Sequence, residues 1–131
     1  MTAQEVLDQV KKLIDATLAE VAPDAKLTPD AVPGGTPCES SLSGHTGQLS
    51  YSYGFSFPVA DEATGERVVR ETARFWTTRG YAVDDFSQDQ VAPSVHTGND
   101  GFDFMFTFAR RTLSASIIGS TPCVDPLPGD V

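Results

Sequence analysis

Apolar residues fall three or four apart at the start of the chain: Val6, Leu7, Val10, Leu13, Ile14, Leu18 and Val21. That spacing lays a single stripe along a helix, while Gln4, Asp8, Lys11, Lys12, Asp15 and Glu20 keep mostly to its wet side. The sequence predicts a helix over 3–21 that packs on the protein's own sheet. Thr2-Ala3-Gln4-Glu5 has the form of a capping box, in which Thr2 and Glu5 each satisfy an orphan backbone N–H. Pro23 ends the helix, because it has no N–H to donate and disfavours a helical predecessor. Residues 22–47 then carry Pro23, Pro29, Pro33 and Pro37 with Gly34, Gly35, Gly44 and Gly47. Such a composition argues against a long helix or a central strand and predicts a connector.

The period next changes to two. Leu49, Tyr51, Tyr53, Phe55 and Phe57 alternate with Ser50, Ser52, Gly54 and Ser56, which predicts a strand with one aromatic face and one small, polar face. The aromatic face belongs under the helices; the serine face meets water or a ligand. After Pro58 a second helix runs from about Asp61 or Thr64 to Arg79, with Val68, Val69, Thr72, Phe75 and Trp76 on its apolar side and Gly80 as the left-handed residue past its end. Tyr81–Phe86 and Ala92–Thr97 read as short strands. Gly98-Asn99-Asp100-Gly101 is a tight-turn sequence. Phe102, Phe104, Phe106 and Phe108 alternate with Asp103, Met105, Thr107 and Ala109, and Leu113–Ser120 forms the last strand. The order implies an α+β two-layer sandwich, with two helices packed on one face of an antiparallel sheet of about five strands. It forms a single domain over 1–124 (helix 3–21, connector 22–47, sheet-and-helix body 48–122). Pro126 and Pro128 make a disordered tail of 125–131.

Composition changes the picture chiefly by exclusion. The chain has 131 residues, the size of one ordinary domain. Its formal net charge of −9 opposes binding to nucleic acid, whose phosphates demand Lys and Arg, and to an anionic membrane surface. No window approaches the length of apolar sequence that a membrane span requires. Residues 1–20 hold an amphipathic pattern, not the apolar run of a signal peptide; if Cys38 and Cys123 are bonded, an export signal would have been removed ahead of Met1.

Only two cysteines occur, Cys38 and Cys123, and they bracket everything that reads as packed sheet. The simplest pairing is one staple between them, which implies an oxidising compartment. In the chain-entropy model, closing a loop of roughly 85 residues contributes on the order of 4–5 kcal/mol before any native-state strain. The alternative is two buried free thiols.

Several short pieces together resemble a known group. They are Pro37-Cys38, Gly47-Gln48-Leu49-Ser50-Tyr51-Ser52-Tyr53, Phe75-Trp76 running into Arg79-Gly80-Tyr81-Ala82-Val83, Asp100-Gly101-Phe102, and Ser120-Thr121-Pro122-Cys123. Over about residues 3–124 the chain is similar to small actinobacterial envelope lipoproteins of the LppA-like kind. The resemblance implies an exported protein, lipid-anchored through an N-terminal cysteine in its precursor, with one internal disulfide and no established activity. This chain carries no lipid-acceptor cysteine at its start, and the resemblance supplies no catalytic residues.

A search for chemistry yields little. His45 and His96 are the only histidines, and neither has a metal-binding spacing such as H-x-x-x-H. No serine sits in a G-x-S-x-G elbow, and a Cys/His pair needs a free thiol that the staple would remove. Asp84, Asp85, Asp89, Asp100 and Asp103 read as solvated turns and a charged sheet edge. Calcium is the competing reading, but Asn99-Asp100-Gly101-Phe102-Asp103 lacks the order of a calcium loop. No metal and no cofactor is expected. Two readings survive. One is a non-enzymatic cell-envelope or secreted domain that binds an unidentified envelope protein or cell-wall component through the polar face of Ser50, Ser52 and Ser56. The other is a small ligand-binding protein or enzyme, with an aromatic pocket between helices and sheet lined by Tyr51, Tyr53, Trp76 and Phe104.

Overall fold

A computed structural model describes residues 1–31, 34–40 and 44–130; of residues 39–40 and 44–46 it describes the backbone alone. Helix α1 spans Ala3–Val21 and opens with the capping box: Glu5 N–H donates to Thr2 Oγ1 at 3.1 Å, and Thr2 N–H to Glu5 Oε1 at 3.0 Å. Helix α2 spans Glu62–Thr78 behind an Asp61 cap. It ends in a Schellman motif, with Gly80 at φ 93°, Gly80 N–H on the Thr77 carbonyl and Tyr81 N–H on the Trp76 carbonyl.

Among the described residues eight strands follow one another: β1 (Thr28–Pro29), β2 (Thr36–Ser40), β3 (Gly44–Ser50), β4 (Ser52–Pro58), β5 (Val83–Phe86), β6 (Ser94–Asn99), β7 (Phe102–Ala109) and β8 (Ser114–Ser120). Six of them form one antiparallel sheet in the order β1-β4-β8-β7-β6-β5, and β2 and β3 pair as a separate hairpin. The class is therefore the predicted α+β, with a six-stranded sheet and a small second one. The connector 22–47 holds β1, β2 and the start of β3. Its prolines are tolerated because β1 is a two-residue edge strand and the β2–β3 register shifts between Pro37 and Glu39. The alternation over 49–57 crosses two strands. At Tyr51 the chain leaves the hairpin for the large sheet, held by Tyr51 N–H on Thr121 Oγ1 (2.9 Å) and Thr121 N–H on the Tyr51 carbonyl (2.8 Å). Between β6 and β7 lies a two-residue loop, Asp100 and Gly101, both at positive φ (53° and 87°), as the right-handed strand twist favours.

The core is the helix–sheet interface. Val10, Leu13, Ile14 and Leu18 of α1 and Val68, Val69 and Trp76 of α2 pack on Phe57, Val95, Phe104, Phe106, Phe108, Ala115 and Ile117. Gly119 lets α1 approach: a Cβ there would lie 2.7 Å from the Phe104 ring and 2.8 Å from Val10. One polar link crosses this core. The Trp76 indole N–H donates to Thr17 Oγ1 at 2.9 Å, and Thr17 donates onward to the Leu13 carbonyl at 2.7 Å.

A smaller cluster joins Ala3, Val6, Leu49, Tyr51 and Val124 at the other end of α1. Here Cys38 and Cys123 are bonded, with Cα atoms 6.2 Å apart, tying the β2–β3 hairpin to the end of the large sheet. Residues 124–130, in the stretch for which the prolines predict disorder, are seated on this cluster. Val124 pairs with Leu49, and the Tyr51 hydroxyl accepts from Leu127 N–H and donates to Asp130.

Candidate functional site

Because both helices lie on one side of the large sheet, the register decides what the other side presents. One row across it runs Asp84, His96, Met105, Ile118 and Gly54. The row beside it runs Phe86, Ser94, Thr107, Ser116, Ser56 and Thr28, and the row on its other side runs Gly98, Asp103, Ser120 and Ser52. Small hydroxyl side chains make up much of this face, and three large apolar ones stand out from it: Phe86 is 57% exposed, Met105 43% and Ile118 37%.

At the β5 end, His96 is clasped between two strands. Its Nδ1 lies 3.3 Å from Asp84 Oδ2, and its Nε2 is hydrogen-bonded to Asp103 Oδ1. A neutral imidazole has only one N–H, so both contacts are favourable together only in the imidazolium. The hydrogen bond to Asp103, with help from Asp84, holds the His96 pKa above its ordinary 6.5, against desolvation that lowers it. With both of its ring nitrogens engaged, His96 is not poised as a base, and the bonded Cys38 and Cys123 offer no thiolate. Among the described residues no group of His, Cys, Asp and Glu is arranged to hold a metal ion.

Charge is segregated across the molecule. Residues 80–109 contain five aspartates and no lysine or arginine, whereas none of the nine Lys and Arg lies on a strand. The helix side answers its own cations: Arg67 with Glu71 (3.2 Å), Arg70 with Glu66 (4.0 Å), and Arg110 with Glu66 and Glu62.

No family model and no curated protein matches this chain. Among solved structures it is similar to a lipoprotein candidate, LppA from Mycobacterium tuberculosis. The two share 12% sequence identity at a TM-score of 0.50, over 92% of this chain and 74% of the other. The likeness is one of fold. In both functional readings, the candidate residues must therefore be judged from their own geometry.

The four aromatic residues proposed to line a pocket are divided by the structure. Trp76 and Phe104 sit in the packed core, ring centroids 6.4 Å apart, with Tyr81 against Phe104 at the same distance. Tyr51 and Tyr53 instead border an open groove of about 360 Å³ at the edge of the sheet, together with Leu7, Lys11, Phe55 and Leu127. Lys11 Nζ stands 5.6 Å from the Tyr53 ring centroid. The Tyr53 hydroxyl donates to Asp15 at 2.8 Å, and burial, then that carboxylate, push its pKa up to about 12. Of the three serines, Ser52 and Ser56 lie on the open face, while Ser50 donates to the Thr121 carbonyl at 2.6 Å. The side chain of His45 lies outside the described residues. Sequence reasoning missed the His96 clasp. A signal was available, since a turn centred on Asp100 and Gly101 sets His96 and Asp103 diagonally on one face.

Proposed function

We propose that this chain is an exported, non-enzymatic binding or accessory domain of the cell envelope, and that its open sheet face is the surface it presents to a partner. The observation that carries the reading is the one-sided layering: both helices cover one face of a six-stranded sheet, and the opposite face exposes Phe86, Met105 and Ile118 among serines and threonines. Exposed apolar side chains gathered on one face mark interaction surfaces more often than singly scattered ones do. The Cys38–Cys123 bond supports an oxidising compartment, and the fold likeness to a lipoprotein candidate agrees with it. A lipid tether ahead of α1 belongs to the same proposal. No helix is long and apolar enough to cross a membrane among the described residues.

The test places a photo-crosslinking amino acid at Met105 on the open face, or at Arg74 on α2, in protein exported by its own cells. The reading predicts a discrete adduct from position 105 and none from position 74. Adducts from position 74 alone, or from neither, would contradict it.

A further inference from the structure

We infer that the open sheet face docks a cationic, amphipathic segment of another protein, an assignment that rests on the binding-domain reading above and adds the partner's chemistry. Two independent distributions coincide on this face. Its apolar members, Phe86, Met105 and Ile118, are half of the six large hydrophobic side chains exposed on the described surface. Its charged members are Asp84, Asp103 and the His96 they share, so the trio is net negative even with His96 protonated. Both aspartate side chains are well exposed (70% and 62%), which leaves them open to solvent and to a partner. Asp85 and Asp100 extend the negative field along β5 and the β6–β7 turn, and no lysine or arginine lies on any strand, whereas the nearby Asp89 has Arg110 beside it. Such a field attracts cations and repels anionic polymers or lipid headgroups.

Size selects among cationic partners. The four longer strands, about 4.8 Å apart and roughly 20 Å long, with the short β1 and β5 at the edges, offer on the order of 500 Å², less than the ~800 Å² per partner of a standard stable interface. That area suits one strand or helix better than a whole folded surface. It also disfavours a second copy of this chain, which would bring Asp84 and Asp103 against like charge.

The probe is a short peptide alternating lysine with leucine, titrated at low salt into the intact, disulfide-bonded protein and followed by amide chemical shifts. Shifts are expected at outward-facing residues of β5–β8, with affinity falling as salt is added. D84N/D103N is expected to weaken binding about tenfold, as loss of two interfacial charges does, whereas D8N/D24N on the α1 side, with the same net-charge change, leaves it nearly unaltered. M105K/I118K should abolish it. Equal weakening by both aspartate pairs, shifts mapping to another surface, or no binding would overturn the inference. So would equal binding of a glutamate–leucine peptide or a sugar polymer. A crosslink at position 105 together with any of these results leaves the binding-domain reading standing and removes only the cationic partner.

Discussion

The Thr17–Trp76 link offers a prediction whose size follows from the geometry. Both side chains are fully buried, and Thr17 Oγ1 is the partner of the indole N–H. Thr17→Val keeps the β-branched shape but leaves that N–H without an acceptor inside the core. Leaving a buried donor unsatisfied costs about 1–3 kcal/mol. The Leu13 carbonyl loses little, since it faces a helical backbone partner one turn on. Trp76→Phe removes the donor and leaves a void of roughly 40 Å³, worth about 1 kcal/mol at the usual cavity rate, in addition to the lost transfer energy. In the Trp76→Phe background the Thr17→Val change no longer strands a donor and should cost about 0–0.5 kcal/mol. The cycle therefore predicts a coupling of about 0.5–3 kcal/mol. Urea unfolding followed by far-ultraviolet circular dichroism measures it without relying on Trp76, the chain's only tryptophan. Additive costs in the double variant would refute the assignment of this hydrogen bond as the polar clasp between the helices.

Three further outcomes are expected. The His96 clasp predicts stability that is full below pH 6.5 and declines as pH rises through the raised folded-state pKa, because deprotonation removes the second donor. An NMR titration of His96 should show Asp103→Asn lowering the midpoint more than Asp84→Asn, and a midpoint at or below 6.5 in the wild type would count against the clasp. Gly65→Ala sets helix propensity, a gain of up to about 1 kcal/mol, against a methyl placed into the Phe108 ring, where overpacking costs about 1–3 kcal/mol. Net destabilisation is expected, and a higher melting temperature would show that the ring can yield. Tyr51→Phe removes the hydroxyl that holds Leu127 and Asp130, so hydrogen exchange at Leu127 N–H should accelerate with a loss of about 1 kcal/mol; unchanged exchange would mean that the tail is not held there.

What the sequence made legible depended on how local each signal was. The α1 stripe and its capping box and the Gly80 helix stop are decided within a few residues and appear where the pattern placed them; the Gly98–Gly101 turn does too, narrowed to Asp100 and Gly101 because Gly98 and Asn99 stay in β6. The strands of the connector did not announce themselves. Pro29 and Pro37 argue against central strands, and these strands are an edge and a bulged hairpin outside the main sheet. The break at Tyr51 was hidden because a period of two continues unchanged from one sheet into the next. The open face was half visible in the serine alternation of β4. Its chemistry was not, because Asp84 reaches His96 only through the β5–β6 pairing, twelve residues away. Tyr51, Tyr53, Trp76 and Phe104 share a pattern but not a place: Trp76 and Phe104 lie in the main helix–sheet core, Tyr51 is buried in the smaller cluster beneath the C-terminal segment, and Tyr53 stands beside the edge groove.

Whether this is an exported domain turns on the state of Cys38 and Cys123 in the cell. Protein taken from its native source should be alkylated before and after reduction, and its intact mass measured. Neither thiol should label until a reductant is added. Direct labelling of both cysteines without reductant would contradict the staple and, with it, the envelope assignment.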